Sequence, residues 1–181
     1  TNEDITLFPA IAVPGDIIRC TVVVTDTSGA SASLFVEGTV LNRAPTVTSP
    51  VLNTSSPTLG STLTCSANGS DVDDDSVTVS YAWYINSVSS SVVHTGASLE
   101  LLASGTPSSG QVMANVGDDV FCVATATDVN GATDSEQVDV NIINTNPNIS
   151  SVSITPSTAY NNSTLTCTVV ASDSDAQSLN I

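Results

Sequence analysis

The side chains with the widest chemical repertoire in this sequence are four cysteines, Cys20, Cys65, Cys122 and Cys167. Thiolates attack electrophiles, bind zinc or pair as disulfides, and their spacing separates these roles. No Cys-x-x-Cys pair occurs, which disfavours zinc sites and thioredoxin-like exchange. Two readings stay open: disulfides, which belong to an oxidising, extracellular setting, or buried thiols that act as small hydrophobes.

The second chemical cluster is acidic: Asp71, Asp73, Asp74 and Asp75. Carboxylates two apart in an extended segment can converge on one hard cation. The EF-hand spacing fails, because Ser76 takes its sixth position and Ala82 its twelfth. Calcium at Asp71, Asp73 and Asp75, helped by Asp128 and Asp134, is one expectation, and a solvated acidic turn is the other. Five asparagines satisfy the N-x-[ST] rule and are candidate glycan acceptors: Asn53, Asn68, Asn148, Asn161 and Asn162. The last two overlap, so one glycan at most is expected there.

Nothing in the sequence reads as catalytic. His94 is the one histidine, and no nucleophile-elbow motif accompanies it. There is no glycine-rich phosphate loop and no lysine to serve one. Acid pairs for glycoside cleavage need a cleft and one raised pKa, and aspartates are too abundant here for proximity alone to argue for them. The expectation is a protein that is not an enzyme.

The 181 residues carry 18 acidic side chains against two arginines, for a formal net charge of -16. Such a chain cannot neutralise a phosphate backbone, so nucleic acid is a poor partner, and an anionic membrane surface would repel it. No apolar run approaches the roughly 20 residues of a membrane span. Residues 1–15 do not read as a signal peptide, since Glu3 and Asp4 stand where a basic start belongs. An apolar content of 40% still allows a packed core.

Internal repetition organises all of these residues. Cys20 and Cys122 are 102 positions apart, and so are Cys65 and Cys167. The register holds around them: Gly15, Asp16, Asp26, Gly29 and Asn42 reappear as Gly117, Asp118, Asp128, Gly131 and Asn144. Pro45, Leu63, Asp71 and Asp73 likewise reappear as Pro147, Leu165, Asp173 and Asp175, although Gln177 replaces Asp75. The expected organisation is the C-terminal part of one repeat in 1–44, a whole repeat in 45–146 and the N-terminal part of another in 147–181. A window from a longer tandem array is the simplest source of such a chain. Completion of the two partial ends between neighbouring subunits is the rival, weakened because the joined ends would lack the counterparts of residues 80–102.

The whole repeat reads as β throughout. Residues 77–86 alternate, with Val77, Val79, Tyr81, Trp83 and Ile85 on one face. Leu63, Cys65 and Ala67 share a face in an earlier strand, and Val120, Cys122, Ala124 and Ala126 in a later one. Asn130-Gly131 signals a hairpin into a last strand with Val138, Val140 and Ile142. Residues 45–52 are expected to supply the first strand. The segment 87–116 suggests one or two short strands and a serine- and glycine-rich loop over 104–110. No helical spacing persists.

The spacing of Cys65, Trp83 and Cys122, with segments such as SDVDDDSVTVSYAWYIN and ATATDVNGATDSEQVDVNI, resembles immunoglobulin-like domains of bacterial and archaeal surface proteins. These include the polycystic-kidney-disease type and cadherin-like relatives. The resemblance implies a tandem all-β sandwich in which Cys65 and Cys122 bridge facing sheets and Trp83 packs on the bridge. It also implies that Cys20 and Cys167 pair with partners outside the chain. Val120 stands where antibody-type domains carry a tyrosine two residues before the second cysteine, so the match is to the architecture alone.

Two function classes follow. The first is a structural repeat segment of an extracellular filament, stalk or sheath, whose partners are neighbouring repeats or other copies. The second is an adhesin or carbohydrate-binding array, which would display aromatics such as Tyr84, Phe121 and Tyr160.

Overall fold

A computed structural model describes residues 4–180 and contains fourteen β-strands, with no helix among the described residues. β1 (Ile17–Thr25) and β2 (Ser31–Thr39) form an antiparallel hairpin, registered from Ile17 opposite Thr39 to Thr25 opposite Ser31. Valine, isoleucine and threonine dominate β1, and their branched side chains suit a pleated surface. The connecting loop is closed by Asp26, whose Oδ1 accepts the Ser28 and Ala30 N–H groups, while Gly29 takes a φ of 89°.

The central segment builds a sandwich. Its strands are β3 (Thr46–Val47), β4 (Val51–Leu52), β5 (Thr62–Ser66), β6 (Gly69–Ser70), β7 (Thr78–Ile85), β8 (His94–Thr95), β9 (Ser98–Leu102), β10 (Gln111–Met113), β11 (Asp119–Thr127) and β12 (Thr133–Asn141). One four-stranded sheet runs β10-β9-β5-β4 and the other β12-β11-β7-β8. Cys65 on β5 and Cys122 on β11 form a disulfide between the two sheets. Leu63, Trp83, Leu99, Leu101, Val120, Cys122 and Ile142 are fully buried around it. The Trp83 indole N–H donates to the Gly96 carbonyl at 2.8 Å, so the buried ring leaves no polar atom unpaired.

Three local expectations are refined. The first strand is two short ones: β3 pairs with β6 in a small sheet, and β4 pairs with β5, with Pro50 between them removing a backbone donor. Residues 87–116 hold three short strands, β8, β9 and β10, and β10 runs parallel to β9. The Asn130-Gly131 turn is a five-residue loop. A two-residue type I′ turn needs positive φ at both central residues, and here only Gly131 has it, at 86°. Asp128 builds this loop instead, its Oδ1 accepting the Asn130 and Ala132 N–H groups as Asp26 does in the first hairpin.

β13 (Asn148–Thr155) and β14 (Thr166–Ser172) form a further antiparallel pair that sets Ile154 opposite Cys167. The bounds of β11 and β12 are those of β1 and β2 shifted by 102 positions. The chain falls into two compact units. One takes in the chain up to Val47 with Gly69–Val79 and Thr125–Ser135, and the other Thr48–Asn68, Ser80–Ala124 and Glu136 onward. No helix among the described residues is long and apolar enough to cross a membrane.

Candidate functional site

The polar side chains concentrate where residues 42–47 meet the acidic loop in the first unit. Asp73 is buried, and both of its oxygens are engaged by Arg43. The Arg43 backbone N–H donates to Oδ2 and its Nε to Oδ1, each at 2.8 Å, and its terminal nitrogen reaches both Oδ1 and the Val72 carbonyl. Asp71 orients Asp73, accepting its N–H on Oδ1 at 2.6 Å. Hydrogen bonding from Arg43 holds the Asp73 carboxyl below the usual aspartate range, and Asp73 in turn raises Arg43.

The Asp128 hairpin closes the same joint. Asn42 donates its amide to Asp128 Oδ2 at 2.8 Å, and this bond is the first cause of the lowered Asp128 pKa. Asn130 bridges onward, donating to Asn42 Oδ1 and to Asp75 Oδ2. Asp134 accepts the Val47 N–H at 2.9 Å. The structure therefore brings Asp71, Asp73, Asp75, Asp128 and Asp134 into one hydrogen-bonded joint. Its partners are an arginine, asparagine amides and backbone N–H groups. Among the described residues, no three His, Cys, Asp or Glu side chains converge as a ready metal-ligand set. A calcium ion at Asp73 would have to displace the Arg43 guanidinium.

This joint sets a pH expectation. The Asp73 and Asp128 pKa values lie below the unfolded value of about 3.9, so their stabilisation is complete above that pH. It is lost as pH falls through the lower folded values. The protection of the Arg43, Asn130 and Ala132 amides against hydrogen exchange, corrected for intrinsic rates, should therefore drop in acid. Arg43→Gln, which removes the main cause of the lowered Asp73 pKa, should shift the loss of protection at position 43 to higher pH, and an unchanged profile in that variant would refute the assignment.

The other sequence candidates are scattered. All five sequon asparagines are exposed: Asn53, Asn68, Asn148, Asn161 and Asn162. Asn53 already clips β5, donating to the Thr62 carbonyl and accepting the Thr64 N–H. His94 lies on the short strand β8, opposite Trp83. Tyr84 and Phe121 are half-buried, and Tyr160 is exposed but far along the chain from both. The side-chain contacts of Arg43 and Asn42 and the turn-building role of Asp128 escaped sequence reasoning. The Asp-x-x-Gly spacing at Asp26–Gly29 and Asp128–Gly131 was a usable signal for the turns.

Cys20 and Cys167 are both exposed free thiols. Cys20 opens onto an apolar groove along β1 and β2 with Val22, Val24, Leu34 and Val36, of about 440 Å³. Their counterparts shifted by 102 positions, Cys122 and Cys65, are buried and bonded to each other. A disulfide within the central sandwich fits an oxidising compartment. Comparisons with protein-family models, with curated proteins and with solved structures found no match.

Proposed function

We propose that this chain is a structural segment of an extracellular, non-catalytic array of immunoglobulin-like sandwich repeats, serving as a filament, stalk or sheath component. The carrying observation is the pair of open strand faces that bear Cys20 and Cys167. Each repeats, in sequence register, a face that is buried and cross-linked in the central sandwich. Large exposed apolar faces mark interaction surfaces. On this reading each cysteine pairs with a matching half-sandwich in a neighbouring repeat or another copy. The joint supports the same reading: Asn42 to Val47 is held by side chains of the acidic loop and the Asp128 hairpin, so adjoining repeats are linked by bonds as well as by chain. Exposed sequons suit a glycosylated exterior, and the net charge of -16 discourages indiscriminate strand-edge pairing.

Electron microscopy of native material, before and after reduction and chelation, tests this. Long fibres with a spacing of one or two domains are the expected result. Isolated particles that bind a defined glycan, with no fibres under any salt or calcium condition, would replace it with the adhesin reading.

A further inference from the structure

The geometry points to a calcium site at Asp175 and Asp173, where the second joint lacks the arginine of the first. Shifted by 102 positions, Arg43, Asp71 and Asp73 become Thr145, Asp173 and Asp175. The backbone arrangement is conserved between them. The Thr145 N–H donates to Asp175 Oδ2 at 2.6 Å, as the Arg43 N–H does to Asp73 Oδ2, and the Asp175 N–H donates to Asp173 Oδ1 at 2.7 Å. Asp74 and Ala176, the residues that follow the two buried aspartates, share positive φ values of 59° and 56°.

The difference lies in the charge. In the first joint Oδ1 of the buried aspartate holds a guanidinium, which also interacts with the neighbouring Asp71. In the second, Thr145 donates its hydroxyl to Asp175 Oδ2, and Oδ1 has no partner among the described residues although Asp175 is only 6% exposed. Among the described residues both arginines are engaged elsewhere, Arg43 with Asp73 and Arg19 with Glu37, and the sequence has no lysine. A buried carboxylate oxygen without a hydrogen bond or counter-charge is costly, so a bound cation here is favoured. All the donors are hard oxygens: the free Asp175 oxygen, the half-buried Asp173 carboxylate and the Thr145 hydroxyl. That set selects calcium over softer metals, with waters completing the shell. Two carboxylates place the affinity in the weak range of extracellular modules, about 10⁻⁴–10⁻³ M. The site does not depend on the protein forming fibres.

Calorimetric titration of calcium chloride into the full, chelator-treated chain should detect this site. Asp175→Asn should weaken binding at least tenfold, and Asp74→Asn, an exposed control, should leave it unchanged. Thr145→Arg, which rebuilds the first joint's ion pair, should also weaken binding at least tenfold while preserving the calcium-free melting temperature. That variant decides the matter if Asp175→Asn fails to fold. No heat of binding up to about 10 mM calcium, ten times the weak end of that range, would overturn the proposal. So would binding that survives Thr145→Arg, or that is abolished by Asp71→Asn instead.

Discussion

Replacing Trp83 with alanine should destabilise the central sandwich by about 3–5 kcal/mol, the largest effect expected of any single substitution in this chain. The indole is fully buried between the sheets, among Leu63, Leu99, Leu101 and the Cys65–Cys122 bridge. Its removal leaves a cavity that two cross-linked sheets cannot collapse to fill, and it orphans the Gly96 carbonyl that accepts the indole N–H. Urea denaturation followed by circular dichroism measures the loss. Trp83→Phe should lose less, since it keeps most of the volume and forfeits only the hydrogen bond. A midpoint unchanged in the alanine variant would show that the ring is not a core element.

Removing the bridge with Cys65→Ala and Cys122→Ala should cost about 2–5 kcal/mol. The two cysteines are 57 positions apart, so the bond closes a long loop in the unfolded chain. For a loop of that size, chain-entropy reasoning gives a stabilisation of about 4 kcal/mol. Thermal melts of the double variant, and of the native chain with and without reductant, provide the comparison. Peptide mapping without reduction should recover Cys65 joined to Cys122. Equal melting temperatures in the oxidised and reduced states would contradict the expectation.

The strands of the central sandwich were legible because alternation is a local property. Burying one face of a pleated strand requires apolar residues at every second position, and Val120, Cys122, Ala124 and Ala126 satisfy this within β11. Leu63 and Cys65 in β5 and Trp83 in β7 obey the same rule, so the core could be read from spacing. Short strands were less legible. Two-residue elements such as β4 and β8 are defined by the backbone of a neighbour, and no side-chain pattern of that length marks them.

By itself the sequence determined the all-β class, the inward faces and the 102-residue register, while the pairing of Cys65 with Cys122 across facing sheets was implied by the family resemblance and is made by the fold. The first three follow from residue type and periodicity. Only the tertiary structure decided which carboxylate does what. Asp71, Asp73, Asp75, Asp128 and Asp134 are alike as residues, yet one orients a neighbour, one holds an arginine and one builds a turn. The roles of Asp71 and of the Asp128 turn are local, but the arginine on Asp73 comes from 30 positions away and the Asn42 amide on Asp128 from 86. Where the donor is distant, as for Asp73 and for the second oxygen of Asp128, only folding brings it to the carboxylate, and nothing beside the aspartate in the chain marks it.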